Sequence, residues 1–519
     1  MVIVMRTKNN LTQEKDTMGN SYFLVILGIL IAKGLGFYRD MVFAGVFGTS
    51  VESDIYFQVF GLVNLAFTGI GVALSTLIIK NINKTENAGH EKAYASRFLK
   101  KSAFYLTLSA VVLIILAPFI VKIILPDLSP ADHELAVKMM YIMSPTLIFV
   151  VIAYIISGIL QNEKIYFITS IMSLPFNTVI LISLFTNNVS ILTVGAVTTI
   201  GWFLHGAILL PSFYKKGYSF FKSKDNYPIK KDKSAEVLWI FISNMMFQLC
   251  FYTDRIFVSA NEGMASTFNY ASNLFITISS VFVVAMSTVV FPSISKNYEE
   301  GNIDYVNDLL GYMISIISTI SLPFVLVVAF FGKDIIRLIY ERGSFGPDAT
   351  VSVSIFFLIY TIGILGYVSQ ELLNKILYLA GKYKYTVIGT VAVVSLNMIT
   401  NVLIKRFVPA TVYGSSFITT QSFFIAVSTS LFLCAYAVFV GIMIKKVVGK
   451  YFTKELKLNL LKIFFSGALA AAVYLIFNAL LPNFTHGYIT FIFVLGTCGA
   501  VYLATLFSTG VLKKLLKRK

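Results

Sequence analysis

Residues 21–47 read SYFLVILGILIAKGLGFYRDMVFAGVF. From Phe23 to Ala32 the only residue that is not strongly apolar is Gly28. A hydrocarbon core about 30 Å thick is crossed by roughly 20 helical residues, so this stretch is long enough to span a bilayer. It also carries Lys33, Arg39 and Asp40. An ionisable side chain near the bilayer centre costs about 2.5–3.5 kcal/mol on insertion scales, so such groups face a cavity or a partner rather than lipid. The stretch thus predicts a membrane helix with a charged task.

The same pattern recurs outward along the 519 residues. Apolar runs at 21–47, 54–79, 102–125, 134–160, 165–187, 189–214, 235–260, 265–292, 306–331, 350–378, 385–405, 417–444, 460–482 and 487–511 make about fourteen spans. Composition agrees: 57% of residues are hydrophobic and 13% charged, against about 45–50% and 25% in soluble domains. An ordinary soluble enzyme, a secreted disulfide scaffold and a disordered chain are excluded. The fold class expected is an all-α polytopic membrane protein.

The formal net charge is +17, but its placement argues against nucleic acid as a partner. Lysines and arginines gather between spans: 80–101, 215–233, 445–462 and 513–519. These segments follow spans two, six, twelve and fourteen and so share one side of the membrane, and cytoplasmic loops are the ones that collect positive charge. Both termini are therefore expected in the cytoplasm. Cys250, Cys434 and Cys498 lie inside apolar runs and are read as packing residues. His90, His133, His205 and His486 show no ligand spacing. No cleavable signal, metal site, cofactor motif, catalytic constellation or phosphate-binding G-x-x-x-x-G-K-[ST] loop is evident. Transport, if driven, has to draw on a gradient.

The chain also repeats itself. Phe37-Tyr38-Arg39-Asp40 matches Phe251-Tyr252-Thr253-Asp254, and Val72-Ala73-Leu74-Ser75-Thr76 matches Val284-Ala285-Met286-Ser287-Thr288, at offsets of 214 and 212 residues. Pro118-Phe119 and Pro323-Phe324 follow in order, then Asn177 and Asn397. Matches six spans apart share orientation, which is a parallel repeat about an axis along the membrane normal. The expected organisation is a cytoplasmic segment 1–20, an N-lobe 21–214, a basic linker 215–234, a C-lobe 235–444, and two further spans with a basic tail over 445–519.

Polar residues are densest in the repeat-equivalent spans one, two, seven and eight. Lys33, Arg39, Asn64, Asn244, Gln248 and Asn273 are candidates for lining a substrate cavity between the lobes. Lys33 lies about twelve residues into its span, roughly 18 Å along a helix rising 1.5 Å per residue, near mid-membrane. Arg39, Asp40, Asp54, Asp254 and Arg255 sit near the outer ends and are candidates for a gate. Cross-pairs of Arg39 with Asp254, or Arg255 with Asp40, would latch it; local capping within each half is the alternative. Glu371 and Lys375, at i and i+4, predict an intrahelical ion pair.

Gly36-Phe37-Tyr38-Arg39-Asp40, Phe47-Gly48 and Asp54 resemble the first-span signature of the MurJ (MviN) family. Asn269-Tyr270-Ala271 with Asn273-Leu274, Glu341-Arg342-Gly343-Ser344-Phe345 with Asp348-Ala349-Thr350, and then Tyr378 and Asn397, are similar to later motifs of that family, in order and across the chain. The family consists of lipid II flippases within the multidrug/oligosaccharidyl-lipid/polysaccharide exporter superfamily. The resemblance implies two six-helix lobes around a cationic cavity, with Lys33 and Arg39 at matching span-one positions. It also implies a groove for the polyprenyl tail on the last two helices. The family commonly has arginine where this chain has Phe67 or Thr68, and where it has Asn273, and often an acid at Val72.

The function implied is movement of an undecaprenyl-pyrophosphate-linked oligosaccharide, lipid II first, from the inner to the outer leaflet. A coupling cation and membrane lipids are expected partners. Alternatives are a flippase for another polyprenyl-linked glycan such as a capsule or teichoic precursor, a cation-coupled multidrug exporter, or a non-transporting scaffold whose polar residues only join helices.

Overall fold

In a computed structural model, residues 2–83, 89–220, 235–412, 418–480 and 488–517 are described. They form helices joined by short turns, with one isolated bridge between Val412 and Thr419. Most of the expected linker 215–234 lies outside the described residues. The chain divides into two compact units, Met1–Ser266 with Tyr340–Gly346, and Thr267–Ile339 with Pro347–Lys519.

The first unit contains α1 (Val2–Phe47), α2 (Val51–Ile82), α3 (Glu91–Ile124), α4 (Pro130–Met143), α5 (Thr146–Asn162), α6 (Phe167–Ser170), α7 (Leu174–Leu184), α8 (Ile191–Ala207), α9 (Leu210–Lys215) and α10 (Ala235–Val258). α1 is continuous with the polar segment before it. The expected spans at 134–160, 165–187 and 189–214 are each broken where proline meets the helix, at Pro145, Pro175 and Pro211. Proline has no N–H to donate and its ring crowds the preceding turn.

α3 shows the solvent for which the surface is built. Phe104, Leu108, Ile115 and Phe119 are 67, 53, 69 and 64% exposed. Leu99, Leu106, Ala110, Ala117 and Val121 face inward. In water such a stripe would be a large apolar patch; in a bilayer it is the lipid face.

The second unit contains α11 (Met264–Val289) from Thr267 on, then α12 (Phe291–Glu299), α13 (Ile303–Tyr340), α14 (Pro347–Ile362), α15 (Ile364–Leu379), α16 (Tyr383–Phe407), α17 (Thr420–Val448), α18 (Lys454–Leu480), α19 (Tyr488–Ser508) and α20 (Val511–Lys517). α18 and α19 pack on α13. Tyr474 stacks on Phe330 with ring centres 3.9 Å apart, and the Tyr502 hydroxyl donates to the Thr319 carbonyl at 2.8 Å.

Among the described residues, ten helices or helix pairs are long and apolar enough to cross a membrane, and an eleventh if α14 and α15, bent by 46°, form one span. The predicted ranges 21–47, 235–260 and 487–511 fall on α1, α10 and α19. The α14–α15 bend sits at Gly363. There α15 lies against α17 backbone to backbone: a Cβ on Gly366 would stand 2.8 Å from the Cα of Cys434. Without a hydrophobic drive between helices in lipid, such close contacts through small residues and interhelical hydrogen bonds hold a bundle. Behind this contact a buried polar chain joins α15, α16 and α17. Thr390 Oγ1 donates to the Tyr436 hydroxyl (2.8 Å), which donates to Asn374 Oδ1 (3.1 Å), while Asn374 Nδ2 donates to Gln370 (3.1 Å).

The residues that marked the expected repeat all lie within helices. Pro118 and Pro323 are inside α3 and α13, and Asn177 and Asn397 are buried in α7 and α16. Their bonds differ. Asn177 serves α1, whereas Asn397 donates to Ser428 (3.2 Å) and Thr429 (3.0 Å) of α17.

Gly366→Leu is expected to force α15 from α17 and lower the thermal midpoint of the detergent-purified protein by several degrees or abolish recovery. Gly496→Leu, where nothing lies within 4 Å of the added Cβ, is expected to leave the midpoint unchanged. Equal midpoints for the two variants would contradict the packing assignment.

Candidate functional site

Four helix ends meet at one edge of the first unit. α1 ends at Phe47, the chain turns at Gly48 (φ +59°), and α2 starts at Val51. Ser50 caps α2, its Oγ accepting from the Ser53 N–H at 3.2 Å. Side-chain oxygens at this position satisfy a helix N–H that has no intrahelical partner. A side chain on Gly48 would collide with the Ser344 carbonyl, because the segment 340–346 docks here. The Ser344 N–H donates to the Gly45 carbonyl (2.8 Å) and its hydroxyl to that of Val46 (2.9 Å).

Arg39 lies two turns before the end of α1. Its Nε and Nη2 donate to Asp40 Oδ1 at 3.0 and 2.6 Å, and Nη1 donates to Asn177 Oδ1 at 2.9 Å. The guanidinium also lies 5.2 Å from the Phe176 ring centre. Asn177 Nδ2 donates weakly to the Ala32 carbonyl (3.4 Å). It lies beside Gly36 of α1, where an added Cβ would be in ordinary contact with it at 3.4 Å. Arginine's planar fork suits this arrangement, since three donors are satisfied at once.

Asp54, in the first turn of α2, is buried. Its Oδ2 accepts from the Gly263 N–H at 2.8 Å and Oδ1 from the Ser266 N–H at 2.6 Å. Those are the opening N–H groups of α11. A carboxylate at a helix N-terminus satisfies orphan donors and meets the positive end of the helix dipole. Gly263 holds φ +76°, and a Cβ there would stand 2.5 Å from the Thr49 carbonyl. Glycine is thus needed both for the turn and for the approach of the α1–α2 corner.

α10 packs on α2 through its own charged end. The Tyr252 hydroxyl donates to the Gln58 carbonyl at 3.2 Å. The Arg255 guanidinium lies 5.2 Å from the Tyr252 ring centre and above Gly61. Asp254 is fully buried.

Of the two arrangements expected for these charges, the one seen at Arg39 is the local one. Arg39 takes the carboxylate of its own neighbour, Asp40, and Asp40 is engaged by Arg39, so the cross-pairs Arg39–Asp254 and Arg255–Asp40 are not formed among the described residues. The tie between span two and the start of span eight runs instead through Asp54 and backbone N–H groups. Backbone donors have no residue signature, which is why residue-type reasoning missed them. Asn177 was legible as a polar residue inside a span, but not as the partner of Arg39.

The expected cavity residues are placed as follows. Lys33 on α1, Asn64 on α2 and Gln248 on α10 are exposed, and the Asn244 side chain lies outside the described ones. Asn273, half-buried on α11, belongs to the second unit. In that unit the intrahelical pair of Glu371 and Lys375 is also corrected. Lys375 Nζ donates to Ser287 Oγ at 2.5 Å and lies 5.9 Å from the Phe291 ring centre, while Glu371 accepts from Gln370 Nε2 at 3.1 Å. Among the described residues no group of His, Cys, Asp or Glu is placed to hold a metal ion.

Asp54→Asn turns one acceptor oxygen into a donor facing an N–H. Leaving a buried donor unsatisfied costs about 1–3 kcal/mol. A lowered thermal midpoint is expected, with cysteines placed at 262 and 265 labelling faster in membranes. Unchanged midpoint and labelling would show that the tie contributes nothing.

The family profile described as lipid II flippase MurJ matches residues 43–499. The probable lipid II flippase MurJ of Buchnera aphidicola subsp. Schizaphis graminum (strain Sg) is 25% identical over 375 residues, covering 68% of this chain and 72% of that one. The corresponding protein of Treponema pallidum (strain Nichols) is 22% identical over 426 residues, 78% of this chain and 79% of its own. The lipid II flippase MurJ of Thermosipho africanus (strain TCF52B) is 25% identical over 353 residues, 66% and 71%. Among solved structures, lipid II flippase MurJ in an inward closed conformation matches with a TM-score of 0.77 at 22% identity, covering 96% of this chain and all of that one. An inward-facing multidrug resistance MATE transporter of the MOP superfamily shares the fold more distantly, with a TM-score of 0.62 at 14% identity over 82% of this chain and 98% of its own. A profile spanning all but the two ends, relatives aligned over most of their length and a shared helical fold agree: this chain belongs to the lipid II flippase MurJ family.

Proposed function

We propose that this chain carries lipid II, an undecaprenyl-pyrophosphate-linked oligosaccharide, from the inner to the outer leaflet of the bacterial cytoplasmic membrane by alternating access, for cell-wall synthesis. The observation that carries the reading is the family match over residues 43–499. The cationic first span and the polar ends of α1, α2 and α10 support it. In this reading the chain spans the membrane fourteen times with both termini in the cytoplasm, as the basic loops favour. The two lobes are 21–214 and 235–444, joined by the linker 215–234.

The physical problem is the head group. A pyrophosphate and its sugars cannot enter hydrocarbon without something to replace water, while the polyprenyl tail stays in lipid. Lys33, Arg39, Asn64, Asn244, Gln248 and Asn273 would supply that replacement, Lys33 as the point charge on the phosphates. Arg39, Asp40, Asp54, Asp254 and Arg255 would form the outer gate. Arg39 is already bonded through three nitrogens to Asp40 and Asn177. Its use on the cargo therefore requires those bonds to open, which links cargo binding to the gate. The inside-negative potential acts on any net charge moved, at about 2.3 kcal/mol per charge per 100 mV; it favours outward passage of the anionic pyrophosphate and inward passage of a coupling cation.

Depletion in the host is expected to accumulate lipid II on the inner leaflet, and the intact chain to relieve it. Lys33→Ala removes a charge-assisted contact worth about 1.5–3 kcal/mol and is expected to cut flipping at least tenfold, with Lys33→Arg retaining part. Accumulation of a different polyprenyl-linked glycan would reassign the cargo. Full relief by Lys33→Ala would remove Lys33 from the cavity.

A further inference from the structure

The basic loop between α17 and α18 closes over a cleft within the second unit. α17 stops at Val448, and Gly449 turns the chain at φ +89°. Tyr451 then folds back under α17. Its hydroxyl would be 2.6 Å from a Cβ on Gly441, so the glycine makes room for the ring. The cleft measures about 580 Å³ and is bounded by α13, α15, α17 and this loop. That volume lies in the ordinary range of small-molecule sites, about 300–1,000 Å³.

The cleft has two kinds of wall. Leu373, Val438 and Ile442 form an apolar side, and Val438 and Ile442 are 64 and 51% exposed on the lipid-facing surface of α17. The other side carries Lys445, Lys450 and Lys457, and no carboxylate is among the lining residues. Lys457 Nζ is held 5.7 Å from the Phe452 ring centre. Among the described residues none of these three lysines is ion-paired. The contrast is the adjoining cleft of about 400 Å³, where Lys514 pairs with Glu455 at 2.9 Å. Three lysines lining one cleft without an acid, next to an apolar wall open to lipid, call for a ligand with an anionic head and an aliphatic body.

We propose that this cleft binds one anionic phospholipid, its phosphate among Lys445, Lys450 and Lys457 and the start of an acyl chain along Leu373, Val438 and Ile442. Lysine stems lie along apolar surface while the ammonium reaches the head-group level, and basic residues beside a span favour anionic lipid. The bound lipid fixes the α17–α18 loop and, through it, the root of α18. The inference does not rest on the cargo of the transporter, because binding is read without transport.

Native mass spectrometry of the purified full chain in neutral detergent tests it, with dioleoyl phosphatidylglycerol, dioleoyl phosphatidylcholine and inorganic phosphate as probes. Phosphatidylglycerol is expected to be retained over phosphatidylcholine and not displaced by phosphate. Combining Lys445→Gln, Lys450→Gln and Lys457→Gln is expected to lose about fivefold in affinity per lysine, whereas arginine at all three retains binding. Val438→Trp keeps every charge but fills the cleft, and is expected to lose the lipid as well. Equal retention of the two lipids, binding that survives the triple glutamine variant, full binding by Val438→Trp, or displacement by phosphate would each overturn the proposal.

Discussion

Inside hydrocarbon a polar group has no water to fall back on, and that constraint organises this protein. Arg39 illustrates it, with Nε, Nη1 and Nη2 all donating within the first unit. Asp54 meets it with both carboxylate oxygens on the N-terminal N–H groups of α11. The second unit meets it through Tyr436, which links α15, α16 and α17. In each case bonds that satisfy a costly group also position helices. Where aliphatic side chains face lipid, as on α3, no such bonds are needed and the sequence is free to be uniformly apolar.

A transporter has to reconcile that constraint with movement. Satisfied polar groups rigidify; a gate needs groups whose partners can be exchanged. In the proposed gate, backbone N–H groups at a helix start and a neighbouring amide would suit this, because a departing carboxylate or guanidinium would leave behind donors and acceptors that water can solvate. The ends of α1, α2 and α10 and the start of α11 are built from such contacts, with Gly48 and Gly263 supplying the tight turns. The contact of Gly366, in the first turn of α15, against Cys434 of α17 is of the opposite kind, with backbones too close for either helix to slide independently.

Much of the fold was legible because hydropathy reads the bilayer's thickness directly. It reads only the apolar part of a helix, however. α3 starts at Glu91 and α13 runs over Ile303–Tyr340, both longer than the predicted 102–125 and 306–331, because a helix continues past the hydrocarbon into water. The breaks at Pro145 and Gly363 were missed for a related reason: a bent span is as apolar as a straight one. The site was legible as residue types but not as partners. Arg39 and Asp40 were singled out by charge, yet spacing cannot choose between a neighbour and a distant acid. Glu371 and Lys375 had the right separation for a pair, but Ser287 lies closer to the ammonium. Asp54 bonds to backbone, and every residue but proline offers a backbone N–H.

The proposed task of this protein is to let a pyrophosphate head cross a layer that excludes it. The most direct measurement uses the purified chain in proteoliposomes with fluorescent lipid II in both leaflets, following how much becomes accessible to an impermeant quencher or enzyme outside. The account predicts time-dependent exposure of the inner-leaflet pool beyond that of empty liposomes, with a polyprenol lacking the phosphorylated sugar failing to compete. Exposure no greater than in empty liposomes, in both orientations of the reconstituted protein and with an imposed potential of either sign, would contradict it.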